Sequence, residues 1–190
     1  MDVALVQITV PLLWLAWWAY WYVAAHGVKR VRRRESVRSR LGHILPLVIS
    51  GLLIALPTLP GWLGQCFLPR SWILYGIGVG VVAAGLGFSI WARRVLGGNW
   101  SGTVTLKEDH ELIQSGPYRW IRHPIYTGIL LGFTGSAIAR DEWRGILAVL
   151  IAGVALWRKL GLEERWMHEQ FGARYDGYRR HTWALIPWVL

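Results

Sequence analysis

Five stretches of this 190-residue chain are apolar along their whole length and not merely on one face: Val3 to Ala25, Ile44 to Gln65, Trp72 to Ala92, Pro124 to Ala139 and Trp143 to Trp157. A helix that is hydrophobic all round must be surrounded by lipid or by other helices. A bilayer core takes about 20 mostly apolar residues per helix. The pattern predicts an all-α integral membrane protein of about five transmembrane helices, the last two short enough to form a tight hairpin. The first stretch has no basic leading segment or small-residue cleavage site, and it is longer than a signal peptide's apolar core, so it reads as a retained helix. Residues 1–92 then hold the first three helices. Residues 93–190 hold a long polar loop, the hairpin and a C-terminal segment.

Charge orients these helices. If they alternate, all but three of the 21 lysines and arginines fall in the loops on one side; Arg70, Arg140 and Arg144 face the other. The positive-inside rule places the N-terminus outside and the C-terminus in the cytoplasm. The net charge of +10 is then a topology signal and an attraction to anionic membrane lipids. The basic block Lys29 to Arg40 is a short linker between two spans, so no nucleic-acid partner is expected. The short chain points to a prokaryotic cytoplasmic membrane.

Twelve of the fourteen tryptophans fall into two groups. Trp62, Trp72, Trp91, Trp100, Trp143, Trp157, Trp183 and Trp188 lie at or near predicted helix ends, where amphipathic rings favour the interface. Trp14, Trp17, Trp18 and Trp21 cluster inside the first helix, as a packing surface or as an aromatic wall for a lipid chain. Gly76, Gly78, Gly80, Gly85 and Gly87 lie within the third span and read as close helix packing, not as a nucleotide loop. Cys66 is the single cysteine, so neither a disulfide nor a cysteine-based metal site is available, and no metal is expected. Asn99-Trp100-Ser101 matches a glycosylation sequon but falls on the cytoplasmic side.

The chemistry-bearing residues all fall on that side. The loop between the third and fourth spans predicts an extended stretch at Thr103 to Leu106, then a polar turn, Ser115 to His123. Pro124 suits the first turn of a helix because its missing N–H would go unpaired there, and this places Arg122 and His123 beside free backbone donors. Beyond the fifth span, Leu162, Trp166, Phe171, Tyr175 and Tyr178 recur at helical spacing. They predict an amphipathic cytoplasmic helix, broken at Gly172. Glu163 and Glu164 stand where the fifth helix leaves the membrane. Lys159 and Glu163, four apart, share a helix face that permits an ion pair.

Two blocks carry a resemblance. The first is His110-Glu-Leu112-Ile, Ser115-Gly116-Pro117-Tyr118 and Arg122-His123-Pro124-Ile-Tyr126-Thr-Gly128; the second is Glu163-Glu164, Phe171-Gly172, Tyr175, Tyr178 and Ile186-Pro187. In this order, over residues 99–187, the sequence resembles the isoprenylcysteine carboxyl methyltransferase family and its wider relatives among membrane phospholipid methyltransferases. The resemblance implies a membrane-embedded methyltransferase that uses S-adenosylmethionine, releases S-adenosylhomocysteine and lacks a soluble Rossmann domain. It implies that the two blocks frame the cofactor pocket. His110, Leu112, Gly116, Tyr118, His123 and Tyr126 would lie around the adenosine part, with Glu163 or Glu164 on the amino group of the methionine part.

The acceptor stays open among three chemistries. A carboxylate is already ionised and needs only a cation to hold it, for which Arg122, Lys159 and Arg179 are candidates. Lys159 stands near where the family more often carries an arginine. A lipid amine needs a base, which Glu163, Glu164 or His123 would supply; a thiol needs a cationic surrounding that favours the thiolate. The order of preference is the carboxylate of a prenylated cysteine or a similar lipophilic acid, then a phospholipid amine, then a thiol. A non-enzymatic scaffold or transporter subunit is the outside reading, disfavoured because the spans carry few ionisable residues and no evident inverted repeat. The oligomeric state stays open.

Overall fold

The computed structural model describes residues 3–26, 28–69, 71–107 and 111–187. Arg70 and His110 therefore lie outside the described residues. Six α-helices and a two-stranded ribbon follow in chain order: α1 (Val3–Ala24), β1 (Val31–Arg34), α2 (Val37–Ala55), α3 (Trp72–Leu96), β2 (Thr105–Lys107), α4 (Pro124–Arg140), α5 (Trp143–Phe171) and α6 (Ala173–Arg180). By length and composition α2, α3 and α5 suffice to cross a membrane. The protein is an integral membrane protein. α1 and α4 complete a helical bundle with a ribbon end, which carries β1, β2 and α6, and a hairpin end, where α4 turns into α5.

α1, α3 and α4 follow the apolar runs closely. The second helix differs from its predicted range, Ile44 to Gln65. It starts earlier, at Val37, because the Ser36 hydroxyl caps it by accepting the Ser39 N–H at 3.2 Å. It stops at Ala55, since Pro57 and Pro60 cannot continue a helix. Leu56 to Pro69 is instead a loop with one 3-10 turn, Trp62–Gly64. The fifth helix is not short: α5 runs 29 residues without a break, so the predicted separate amphipathic helix from Leu162 is the end of α5. The break at Gly172 is real. That residue has φ +51, a conformation open to glycine, and α6 begins after it.

The predicted extended stretch pairs. β2 runs antiparallel to β1, which the sequence suggests only as a charged linker. Arg33 secures the ribbon to α5: its guanidinium lies 4.2 Å from the centre of the Trp166 ring and donates to Glu169 Oε2 at 2.6 Å.

Glycine serves two purposes in α3. Gly78 and Gly85 let α3 and α4 meet backbone to backbone; a Cβ at Gly78 would stand 2.5 Å from Ala139 N, and one at Gly85 would stand 2.7 Å from Gly128 O. Gly76, Gly80 and Gly87 face open space instead. α1 packs on α3 and α4, while α2 packs chiefly on α5. Two tryptophans of α1 anchor it by hydrogen bonds, Trp17 to Ser89 Oγ at 2.7 Å and Trp14 to Ser136 Oγ at 3.0 Å. Trp62, Trp72, Trp91, Trp143 and Trp157 are exposed, as interfacial residues should be, whereas Trp100 and Trp183 are half-buried against the protein and Trp188 lies outside the described residues.

Candidate active site

Backbone geometry builds the polar pocket at the ribbon end. Gly116, at φ +57, turns the chain into a 3-10 turn, Gly116–Arg119. The carbonyl of Tyr118 accepts the Tyr178 hydroxyl at 2.6 Å. The next residues run beside the C-terminal segment: Arg122 N–H donates to Trp183 O at 2.8 Å, His123 N–H to Ala184 O at 3.0 Å, and Trp183 N–H to Trp120 O at 3.0 Å. The Thr127 hydroxyl adds a bond to Leu185 O at 2.7 Å. Pro124 then opens α4 with His123 as its N-cap residue.

Because α5 continues past the apolar span, Glu163 and Glu164 are carried to this pocket on one rigid helix. Their side chains part. Glu164 Oε1 accepts Arg122 Nε at 2.7 Å and its other oxygen lies 3.5 Å from Arg179 Nε, while Arg122 also donates to Thr182 O. Glu163 instead accepts the Tyr126 hydroxyl. His123 lies between the two, with Nδ1 at 3.5 Å from Glu163 and Nε2 at 3.5 Å from Glu164. Its ring stacks on Tyr126, centres 5.4 Å apart and 4° from parallel.

Burial alone would lower the His123 pKa, but the carboxylates of Glu163 and Glu164 outweigh it and raise the value above the ordinary histidine range. The pocket therefore favours an imidazolium between two carboxylates. Burial raises the Tyr118 and Tyr178 hydroxyls, so both stay neutral phenols.

A cavity of ≈ 870 Å³ runs from this cluster into the bundle. At its polar end stand Leu112, Tyr118, Arg122, His123, Tyr126, Lys159 and Glu163; toward the hairpin end it passes between α1 and α2, against Trp14, Trp18, Val48 and Leu52. Gly116, Glu164 and Arg179 do not line it. Lys159 is buried and its ammonium donates to Gly102 O at 2.9 Å, so the helix-face ion pair with Glu163 is replaced by a bond to backbone. The same ammonium lies 5.1 Å from the centre of the Tyr126 ring.

Part of the wall escaped sequence reasoning. Residues 99–105 line the cavity, and Asn99, read from sequence only as a discounted sequon, is buried and accepts the Glu111 N–H at 3.3 Å. The strap formed by Thr182 to Leu185 was also missed, since its contacts are made by backbone carbonyls that any residue supplies.

A sequence model of the phospholipid methyltransferase family matches residues 73–174, more than half of the chain, a span that holds the first block and the second as far as Gly172. The chain belongs to the phospholipid methyltransferase family. This membrane methyltransferase is 25% identical to protein-S-isoprenylcysteine O-methyltransferase B of Arabidopsis thaliana, over 88% of this chain and 84% of that one. It is 24% identical to the protein-S-isoprenylcysteine O-methyltransferase of Dictyostelium discoideum, over 90% of this chain and 72% of the other. A 71-residue part, 37% of the chain, is 30% identical to 24% of methanethiol S-methyltransferase 1 of Bradyrhizobium diazoefficiens. Among solved structures, the fold matches a eukaryotic intramembrane Ras methyltransferase, an isoprenylcysteine carboxyl methyltransferase, with a TM-score of 0.58 and 21% identity, covering 90% of this chain. The methyltransferase spans 53% of the length of that structure.

Proposed function

We propose that the protein transfers a methyl group from S-adenosylmethionine to the carboxylate of a prenylated cysteine or a similar lipophilic acid, at the cytoplasmic face of a membrane. The observation that carries this reading is one continuous cavity joining a cluster of charged side chains to an apolar slot between α1 and α2. One end suits a zwitterionic, soluble ligand and the other suits a hydrocarbon chain entering sideways from lipid. The names of the Arabidopsis and Dictyostelium relatives point to the same class of acceptor.

The residues present fit the cofactor. When bound, S-adenosylmethionine supplies an electrophilic methyl carbon on a positively charged sulfur, which leaves as a neutral thioether once the carboxylate oxygen has taken the methyl group. Glu163 is the carboxylate of the pair that faces the cavity, so it would hold the amino group, with Tyr126 and His123 fixing its position. Glu164, engaged by Arg122 and Arg179, holds the frame from behind. Leu112, Tyr118 and His123 line the part of the cavity suited to the adenosine.

Of the three candidate cations, Arg122 is committed to Glu164 and Thr182 O, and Arg179 stands outside the cavity. Lys159 has one donor on Gly102 O and two remaining. It would hold the acceptor carboxylate. No general base is then required, because the nucleophile is already ionised. The apolar walls exclude water, which favours a step in which opposite charges disappear. An amine acceptor is less well served: Glu163, the carboxylate nearest the reacting region, already accepts from Tyr126 and faces His123. A thiol acceptor is the second reading, favoured by the methanethiol S-methyltransferase relative.

The deciding experiment supplies radiolabelled S-adenosylmethionine with S-farnesylcysteine, phosphatidylethanolamine or a small thiol to the protein in lipid nanodiscs. Label on farnesylcysteine is expected. Label on the amine or thiol alone would overturn the acceptor, and absence of both transfer and cofactor binding would overturn the enzyme reading for this site.

A further inference from the structure

Behind the cavity wall lies a pair of buried ionisable groups that the proposed chemistry does not use. Glu35 follows β1 and is 6% exposed; His43, near the start of α2, is 2% exposed. Neither lines the cavity. Glu35 and Val104 clasp each other twice, Glu35 N–H donating to Val104 O at 3.1 Å and Val104 N–H donating to Glu35 Oε1 at 3.0 Å. His43 Nε2 approaches the same carboxylate oxygen at 3.4 Å. The second oxygen, Oε2, is buried and has no hydrogen-bond partner among the described residues.

Val104, 1% exposed, belongs to the 99–105 stretch that forms the wall. Two residues before it, Gly102 presents the carbonyl that receives Lys159. A carboxylate withdrawn from water costs free energy that packing alone does not return, so a buried glutamate needs a reason for its place. Here its position couples three elements: β1 through Glu35, α2 through His43 and α5 through Lys159, all converging on residues 102–104.

We propose that Glu35 is a positioning residue for the methyl-transfer site: its carboxylate, accompanied by His43, pins Val104 and thereby sets the Gly102 carbonyl that orients Lys159. This rests on the reading of Lys159 as the holder of the acceptor carboxylate. Releasing the pin loosens the wall and lets the ammonium wander, so acceptor binding suffers while the reacting groups themselves stay intact.

The test uses the full chain in nanodiscs, wild type against Glu35→Gln, Glu35→Ala and His43→Leu. Two measurements are made: hydrogen–deuterium exchange over residues 99–105, and steady-state kinetics with S-adenosylmethionine and S-farnesylcysteine. Gln keeps an oxygen that accepts the Val104 N–H, so Glu35→Gln should resemble wild type in both. Glu35→Ala should speed exchange about tenfold and raise KM for farnesylcysteine about tenfold, the scale expected when a buried donor loses its acceptor, with kcat changed less than threefold. His43→Leu should fall between, and with Glu35→Gln it preserves the comparison if Glu35→Ala folds poorly. Exchange at the wild-type rate in Glu35→Ala and His43→Leu, or Glu35→Gln behaving as Glu35→Ala, would overturn the latch. Faster exchange with an unchanged KM would overturn its role in the site. Wild-type protein that neither binds nor turns over S-adenosylmethionine would sink the functional reading alone, because the exchange rates still judge the latch.

Discussion

At the hairpin end Arg144 is fully buried, donating to Leu56 O at 2.8 Å and Pro57 O at 3.2 Å and pairing with Glu142. Arg140 beside it reaches the same two carbonyls, at 2.7 and 3.1 Å. At the ribbon end Lys159 is also buried and Glu163 and His123 are half-buried, yet they line a cavity and hold capacity for a ligand. The hairpin end spends buried charge on backbone, tying the α2–α3 loop to the turn at Asp141, a residue at φ +56. The ribbon end sets opposite charges around a space. Buried charge by itself therefore does not mark a site; what it faces does.

The sharpest way to break this contrast is Arg144→Ala. Removing a fully buried guanidinium from its carboxylate and two carbonyls should cost about 3 kcal/mol or more, seen as a large drop in thermal unfolding temperature, with kcat/KM per folded molecule unchanged. Altered catalysis at wild-type stability would mean that the two ends are coupled. Glu163→Gln should do the reverse: near-native stability, with affinity for S-adenosylmethionine in calorimetry reduced about 100-fold, the scale for one partner of a buried charge pair. A change of less than threefold would remove Glu163 from the cofactor site.

Lys159→Met sharpens the division within the ribbon end. The KM for farnesylcysteine should rise about tenfold, and cofactor affinity should change less. Equal effects on both ligands would deny the ammonium a specific acceptor role.

The smallest effect is a pH dependence. The pKa of His123 is raised in the folded protein by Glu163 and Glu164, so its contribution to stability is fully present below the ordinary histidine pKa and is lost as pH rises through the folded value. Unfolding temperature measured across mildly acidic to alkaline pH should fall over that window, and His123→Gln should flatten the fall. An equal slope in both proteins would place the titration elsewhere.

Much of the frame was legible because lipid imposes simple rules. Apolar runs of sufficient length announce helices, Pro124 marks a start and Gly172 marks a stop, whereas the Ser36 cap that starts α2 at Val37 went unread because charged residues precede the apolar run there. The end of α2 was misjudged because apolar residues continue past Pro57, and hydropathy does not register the missing N–H. α5 was cut short for the opposite reason. Its surface turns polar at Arg158 while its backbone remains helical, so composition changes where structure does not.

Residue types and spacing alone determined a membrane-embedded helical bundle, the gathering of charge at one end, and two blocks whose likeness to a family pointed to methyl transfer. Tertiary structure decided which of two adjacent glutamates faces the cavity, that Lys159 bonds to Gly102 and not to Glu163, and that Glu35 reaches Val104 across 69 residues of chain. The physical reason is one of range. Helix formation and burial in lipid depend on neighbours a few positions apart, whereas the partner of a buried charge is chosen by whatever distant backbone the packing brings within hydrogen-bond reach.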